Sequence, residues 1–209
     1  MKFLQELFKS RGINKKDSEG NTRLTNAVLE SNPGAVKRLI RRGANVNIPN
    51  KFGVSPLSIA VLNSDLAIVA ALLSAGANPD LRDHNGLTAL IIACEIGPIE
   101  MIELLIASGA DVNIANDIGQ TALIRAAFEG NVKAIKLLIE AGADVNAVQN
   151  GGFTALSYAR ASGDHPYVAR GRSQVILTAR WCHITANLQL IRKHPLPYTV
   201  GLYCARMTK

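Results

Sequence analysis

Apolar and small residues along this chain fall into registers that recur every 33 positions. Leu24, Leu57, Leu90, Leu123 and Leu156 mark one, and Ala27, Ala60, Ala93, Ala126 and Ala159 a second. Gly20, Gly53, Gly86, Gly119 and Gly152 form a third, and Gly43, Gly76, Gly109 and Gly142 a fourth. The two central copies are DHNGLTALIIACEIGPIEMIELLIASGADVNIA and NDIGQTALIRAAFEGNVKAIKLLIEAGADVNAV. A fixed period of this size is the mark of a solenoid, in which no unit buries its apolar face alone and stacked neighbours supply one continuous core.

Each period predicts two helices and a finger. Thr22, Ser55, Thr88, Thr121 and Thr154 precede apolar runs and read as N-caps, whose side-chain oxygens accept from the orphan amides of a starting helix. The first helix is short, about two and a half turns, and its stops fall near Ser31, Ser64, Gly97, Gly130 and Gly163. The second carries an apolar stripe at i, i+3, i+4: Val36, Leu39 and Ile40; Ile102, Leu105 and Ile106; Ile135, Leu138 and Ile139. Pro33 and Pro98 are placed in its first turn, where a missing N–H costs nothing. A Gly-Ala pair closes it, the glycine in the left-handed C′ position. The nine residues to the next glycine, such as ADVNIANDI, are too few for a helix and long enough for a hairpin-like finger.

These units resemble the ankyrin repeat, with its D-x-x-G-x-T-P-L-H-x-A-A opening and second helix ending L-L-x-x-G-A-x-x-N. Asp17 and Asp83 match the opening Asp, Ser55-Pro56-Leu57 lies closest to T-P-L, and Asn47, Asn113 and Asn146 match the closing Asn. The family's His is replaced by Thr25, Ser58, Ile91, Ile124 and Ser157, so the bond it makes between neighbouring repeats must be replaced or lost. The resemblance covers roughly residues 17–163 and implies an all-α repeat solenoid. Four complete units are expected at 17–49, 50–82, 83–115 and 116–148, with a partial fifth at 149–163.

Both ends differ from the units. In residues 1–16, Phe3, Leu4, Leu7 and Phe8 form a helical stripe stopped by Gly12, a helical half-cap. Glu6 and Lys9 interrupt any run long enough for a secretory signal, and no stretch reaches the 18 or so apolar residues of a membrane span. The expectation is a soluble, cytoplasmic protein. Residues 164–209 break the repeat: Gly171 and Arg172 fall where buried apolar residues are due. This atypical tail holds the only Trp, three of four Tyr, three of four His and two of three Cys. Leu177, Trp181, Ile184, Leu188 and Ile191 predict a helix over 174–193, stopped by Pro195; residues 195–209 are expected to lack order. A substitute C-terminal cap is one account of the tail. A reading frame that shifts near Pro166 is the other.

Charge is polarised along the chain. Residues 1–51 carry 11 Lys and Arg against 4 acids, residues 52–163 carry 5 against 11, and residues 164–209 carry 7 against 1. Lys37, Arg38, Arg41 and Arg42 share one helix, with Lys15 and Lys16 nearby. Such a patch attracts anionic partners, although charge runs are most often solvated faces. No aromatics interleave the cations as a nucleic-acid stacking platform requires.

Catalytic and metal chemistry find little support. Cys182, His183, His194 and Cys204 are chemically competent zinc ligands but lack the spacing of a zinc site. Cys94 reads as a small buried thiol, and three cysteines without paired spacing favour a reducing compartment. His84 has no nucleophile or paired carboxylate set beside it, and every glycine of the units is explained by the repeat rather than by a phosphate loop. No enzyme, cofactor or metal is expected.

What the resemblance implies instead is a protein-binding surface of fingers and first helices. Carried onto this chain, its contact positions are Lys51, Phe52, Val54, Leu62, Asn63 and Arg82 in the second unit. They are His84, Asn85, Leu87, Glu95 and Ile96 in the third, and Asp117, Ile118, Gln120, Phe128 and Glu129 in the fourth. Phe52, Ile118 and Phe128 are apolar where the fold does not demand it, the kind of anchor that carries binding energy, and the acids beside them suit a partner of basic character. The expected function is a non-catalytic adaptor or scaffold. The alternative is a regulatory subunit or delivered effector targeted by its basic head or tail. A monomer is expected, with self-association open to an uncapped fifth unit exposing Leu156 and Val168.

Overall fold

The structure, a computed structural model, describes residues 12–164. Nine helices run through them: α1 Arg23–Leu29, α2 Pro33–Arg41, α3 Pro56–Leu62, α4 Leu66–Ser74, α5 Ala89–Ile96, α6 Ile99–Ala107, α7 Ala122–Phe128, α8 Val132–Glu140 and α9 Ala155–Asp164. They pair as α1/α2, α3/α4, α5/α6 and α7/α8; the odd helices α1, α3, α5 and α7 stack in one layer and the even helices α2, α4, α6 and α8 in another. Contacts divide the chain after Ala159, and this stacked array belongs to the unit ending there. It is the all-α repeat solenoid that the sequence predicts. The stripe Phe3–Phe8, the helix over 174–193 and Val168 lie outside the described residues.

Local chemistry sets each helix. The side-chain oxygens of Thr22, Ser55, Thr88 and Thr121 accept from the amides of Thr25, Ser58, Ile91 and Ile124, and Thr154 does the same for Ser157 at 3.2 Å. The first four odd helices run seven or eight residues, two turns rather than two and a half. Ser31, Ser64 and Gly130 then turn the chain at positive φ (47°, 54° and 69°). Gly163, by contrast, lies inside α9: a glycine permits a left-handed stop without imposing one.

The third unit closes differently. Gly97 is extended, at φ −83° and ψ 152°, because the ring of Pro98 disfavours a helical residue before it. Pro98 is itself the N-cap of α6 rather than a first-turn residue, and it lacks the side-chain cap bond that Asn32, Asp65 and Asn131 give α2, α4 and α8. All four even helices end alike. In the first, the Ala44 amide reaches Leu39 O and the Gly43 amide reaches Ile40 O, the Schellman closure that gives two of the late carbonyls a partner.

Burial follows the period. Leu24, Leu57, Leu90 and Leu123 are at most 1 % exposed, and Val36, Val69, Ile102, Leu72, Leu105 and Leu138 are fully buried. Each such side chain contributes about 1.5–3 kcal/mol by leaving water. Ile139 departs from the predicted stripe and is 48 % exposed, because no second helix follows α9 among the described residues to cover it. Leu156 is exposed at the same end. Where the family's His is missing, Thr25 and Ser58 bond the cap hydroxyls of Thr22 and Ser55 at 3.0 Å, whereas Ile91 and Ile124 simply fill the core.

The fingers are tied by backbone bonds. Lys51 N donates to Glu19 O, His84 N to Phe52 O, Asp117 N to Asn85 O and Asn150 N to Ile118 O. Within each finger, Oδ1 of Asp17, Asn50, Asp83 or Asn116 accepts two amides, two and four residues on. A second series crosses units. Asn47 Oδ1 accepts from Asn78 N at 2.8 Å while its Nδ2 donates to Gly76 O at 3.1 Å, and Asn113 repeats both bonds to Asp144 N and Gly142 O.

Asp80 holds the same place but can only accept, from Asp111 N at 2.9 Å. Its carboxylate has no donor for the Gly109 carbonyl, the counterpart of Gly76 and Gly142. Asp80→Asn restores that donor and is expected to stabilise the array by about 1 kcal/mol. Thermal unfolding monitored by circular dichroism checks this; an unchanged or lower Tm refutes it.

Candidate interaction surface

Three of the sixteen expected contact positions belong to the core. Val54, Leu87 and Gln120 are 6 %, 2 % and 0 % exposed. Their amides are held by Oδ1 of Asn50, Asp83 and Asn116, and their carbonyls accept from the amides of the same three residues. That two-point clamp pins the finger base into the stack and leaves these side chains no surface to offer a partner.

The finger tips retain exposed polar groups. Lys51 pairs with Glu19 at 2.5 Å and sits over the Phe52 ring at 5.1 Å. Arg82 pairs with Asp117 at 2.9 Å and reaches Gly86 O at 3.4 Å. Both ion pairs are solvent-exposed and worth little in stability, but each aligns one finger with a neighbour. His84 and Asn85 are exposed, and Ile118 is half-buried. Leu62 is half-buried too, and Asn63 Nδ2 donates to Val28 O at 3.0 Å, so this residue already ties the end of α3 to the end of α1.

The densest chemistry lies at the ends of α5 and α7. Arg125 is the single charge in the α7 sequence ALIRAAF, and it is 6 % exposed. Its Nη2 lies 2.6 Å from Glu95 Oε1 on the preceding odd helix and 3.0 Å from Glu129 Oε1, one turn on. Phe128 supports the guanidinium from 5.3 Å and packs edge-on to Tyr158 at 5.4 Å. Phe153 stacks on Tyr158 at 5.5 Å. Phe128 is therefore half anchor and half structural, while Ile96 at the end of α5 stays 41 % exposed.

The structure thus gathers Glu95, Phe128 and Glu129 around a residue that the repeat pattern did not single out. The signal existed in the sequence: an arginine amid the apolar residues of a capped helix, with glutamates 30 residues before and four after it. Buried charge has to be paired. Burial pushes the Glu95 carboxyl up to about 7, with Arg125 pulling against that rise and Glu129 adding to it.

Cys94 is buried and its thiol is pushed up to about 12, which keeps it protonated and not nucleophilic. No three His, Cys, Asp or Glu side chains cluster as metal ligands among the described residues, and Cys182, His183, His194 and Cys204 lie outside them. No helix among these residues is long and apolar enough to cross a membrane.

Two outcomes test the reading of this surface. Gln120 buries its amide with no hydrogen-bond partner at either atom. Gln120→Leu, the residue of the preceding unit at Leu87, should therefore raise stability by about 1 kcal/mol or more; a fall in Tm argues that the amide has a job. For Glu95, the folded state binds its proton more tightly than the unfolded chain, so stability declines as pH rises from the ordinary 4.5 to about 7. Melting curves across that window should slope downward in the wild type and flatten in Glu95→Gln; parallel slopes would exclude Glu95 as the source.

A family model described as ankyrin repeats (3 copies) matches residues 1–83, 57–149 and 110–170. No curated protein matches the sequence. Ankyrin repeats in general mediate protein–protein interaction and in general are not catalytic. With its capped helix pairs, left-handed exits and bonded fingers stacked in register, the chain belongs to the ankyrin-repeat family.

Proposed function

We infer that this chain is a non-catalytic adaptor that holds a protein partner against its finger tips and the exposed ends of α3, α5 and α7. The observation that carries the reading is the arrangement around Arg125. A repeat stack gains nothing by burying an arginine where Asn26, Ile59 and Ile92 hold the equivalent places, and replacing buried ion pairs by apolar residues is often stabilising. Here the guanidinium fixes two carboxylates beside an aromatic ring at the surface, next to exposed Ile96. Apolar anchors framed by held charges are what interfaces use for specificity.

The acidic balance of residues 52–163 suits a partner segment of basic character. Phe52, with Lys51 above its ring, and Ile96 supply apolar contact along the same face. The protein acts as a monomer in a reducing, intracellular setting, consistent with the neutral buried thiol of Cys94.

The test is capture by the immobilised full chain, compared with Phe52→Ala/Ile96→Ala, two changes outside the fully buried core. Partners recovered by the wild type should fall about tenfold with the double variant, roughly 1.4 kcal/mol, while its melting curve stays in place. Equal recovery at equal stability removes this surface from the function.

A further inference from the structure

We propose that the outward face of α2 is a second docking surface, distinct from the finger tips and odd-helix ends, that takes a short acidic segment of another protein. Successive residues of a helix are about 100° apart, so the buried Val36 and half-buried Leu39 and Ile40 define the packed side of α2. Lys37, Arg38, Arg41 and the C-cap residue Arg42 occupy the opposite side, and all four are exposed. Pro33 and Gly34, the other exposed residues of α2, carry no charge. Asn14 Oδ1 accepts from Asn45 N at 2.9 Å, which brings exposed Lys15 and Lys16 to the end of α2 that carries Arg41 and Arg42.

The repeats supply their own control. One unit later the four places are Ala70, Ala71, Ser74 and Ala75; two units later Glu103, Leu104, Ala107 and Ser108; three units later Lys136, Leu137, Glu140 and Ala141. These helices end in the same closure as α2, so neither folding nor the helix dipole requires four cations there, although Arg41 and Arg42 do favour a helix C-terminus. Among the described residues, no salt bridge involves Lys15, Lys16, Lys37, Arg38, Arg41 or Arg42.

The extent of the patch selects its occupant. Among the described residues it is one helix wide: the next outward face, on α4, is uncharged at the matching places, and α6 presents exposed Glu100 and Glu103. With neighbouring helices ~10 Å apart, a bilayer or a nucleic-acid duplex lying across the even helices meets repelling carboxylates within about 20 Å. An acidic peptide of a few turns fits within α2. Arginine forks suit its carboxylates, two donors to two oxygens.

Fluorescence anisotropy of labelled decaglutamate with the full chain tests the proposal. The informative variant is Lys37→Ala/Arg38→Ala/Arg41→Ser/Arg42→Ala, which installs the residues that α4 already tolerates. The wild type should bind, with affinity falling as salt rises, and the variant should lose about tenfold or more. If the fourfold variant loses helicity, Arg38→Gln/Arg41→Gln is read instead and must show a smaller loss of the same sign. Equal binding by variant and wild type assigns the attraction to the basic tail and overturns the proposal. So does salt-independent binding, or tighter binding of single-stranded DNA of equal length or of phosphatidylserine vesicles.

Discussion

Burial between neighbours is the constraint on which this structure rests. The first four odd helices are two turns long, far below the length at which a helix persists alone in water. They exist because Leu57, Leu90 and Leu123 each lie between a helix before and a helix after. Caps, turns and fingers then follow from placing such short helices at a fixed pitch. A hydroxyl caps each start, a Gly-Ala closure ends each partner, and one finger bonds to the next by its backbone. The cost appears at the end of the stack, where Val132, Ile139, Val145, Val148 and Leu156 are exposed.

Polar residues inside such a stack have to be justified one at a time. Thr25 and Ser58 satisfy their hydroxyls locally at the caps, whereas Ile91 and Ile124 trade that bond for apolar contact. Gln149 stands where Asp17, Asn50, Asp83 and Asn116 make their two-amide turns. Its longer side chain instead donates to the Tyr158 hydroxyl at 2.5 Å. The fifth unit thus begins with a different finger, and Tyr158, Phe128 and Phe153 pack around the difference. Arg125 is the costliest of these residues, and the two glutamates that reach it make its burial tolerable.

Most of the fold was legible because the period is carried by residues with single physical roles. A threonine before an apolar run, a left-handed glycine and a leucine between helices leave few alternatives. The misread places are those where a neighbour decides. Pro98 moved the third turn by restricting Gly97. Ile139 lost its cover because no second helix follows α9 among the described residues. Val54, Leu87 and Gln120 looked free in the repeat pattern, but the side chains of Asn50, Asp83 and Asn116 draw that segment inward. The site was less legible than the fold, since Arg125 meets Glu95 across 30 residues and only the stacked geometry brings them within 2.6 Å.

A repeat protein allows an inference that an ordinary domain does not. Each position has three or four relatives in the same molecule, under the same packing demands, so a residue that departs from them is carrying something other than the common fold. By that measure Leu24, Leu57, Leu90 and Leu123 are silent about function. Asp80, where Asn47 and Asn113 stand in the neighbouring units, is a local flaw in the bonding series. Arg125 and the four cations of α2 are different in kind: Arg125 stands where the other units place neutral residues, the four cations stand where they place neutral residues, a lone acid or a Lys and a Glu, and none is needed to close a helix. They also lie on different layers, Arg125 among the odd helices and the cations on an even one. A single partner contacting both would have to wrap the edge of the array, whereas two separate segments, one basic and one acidic, would each meet a face of opposite sign.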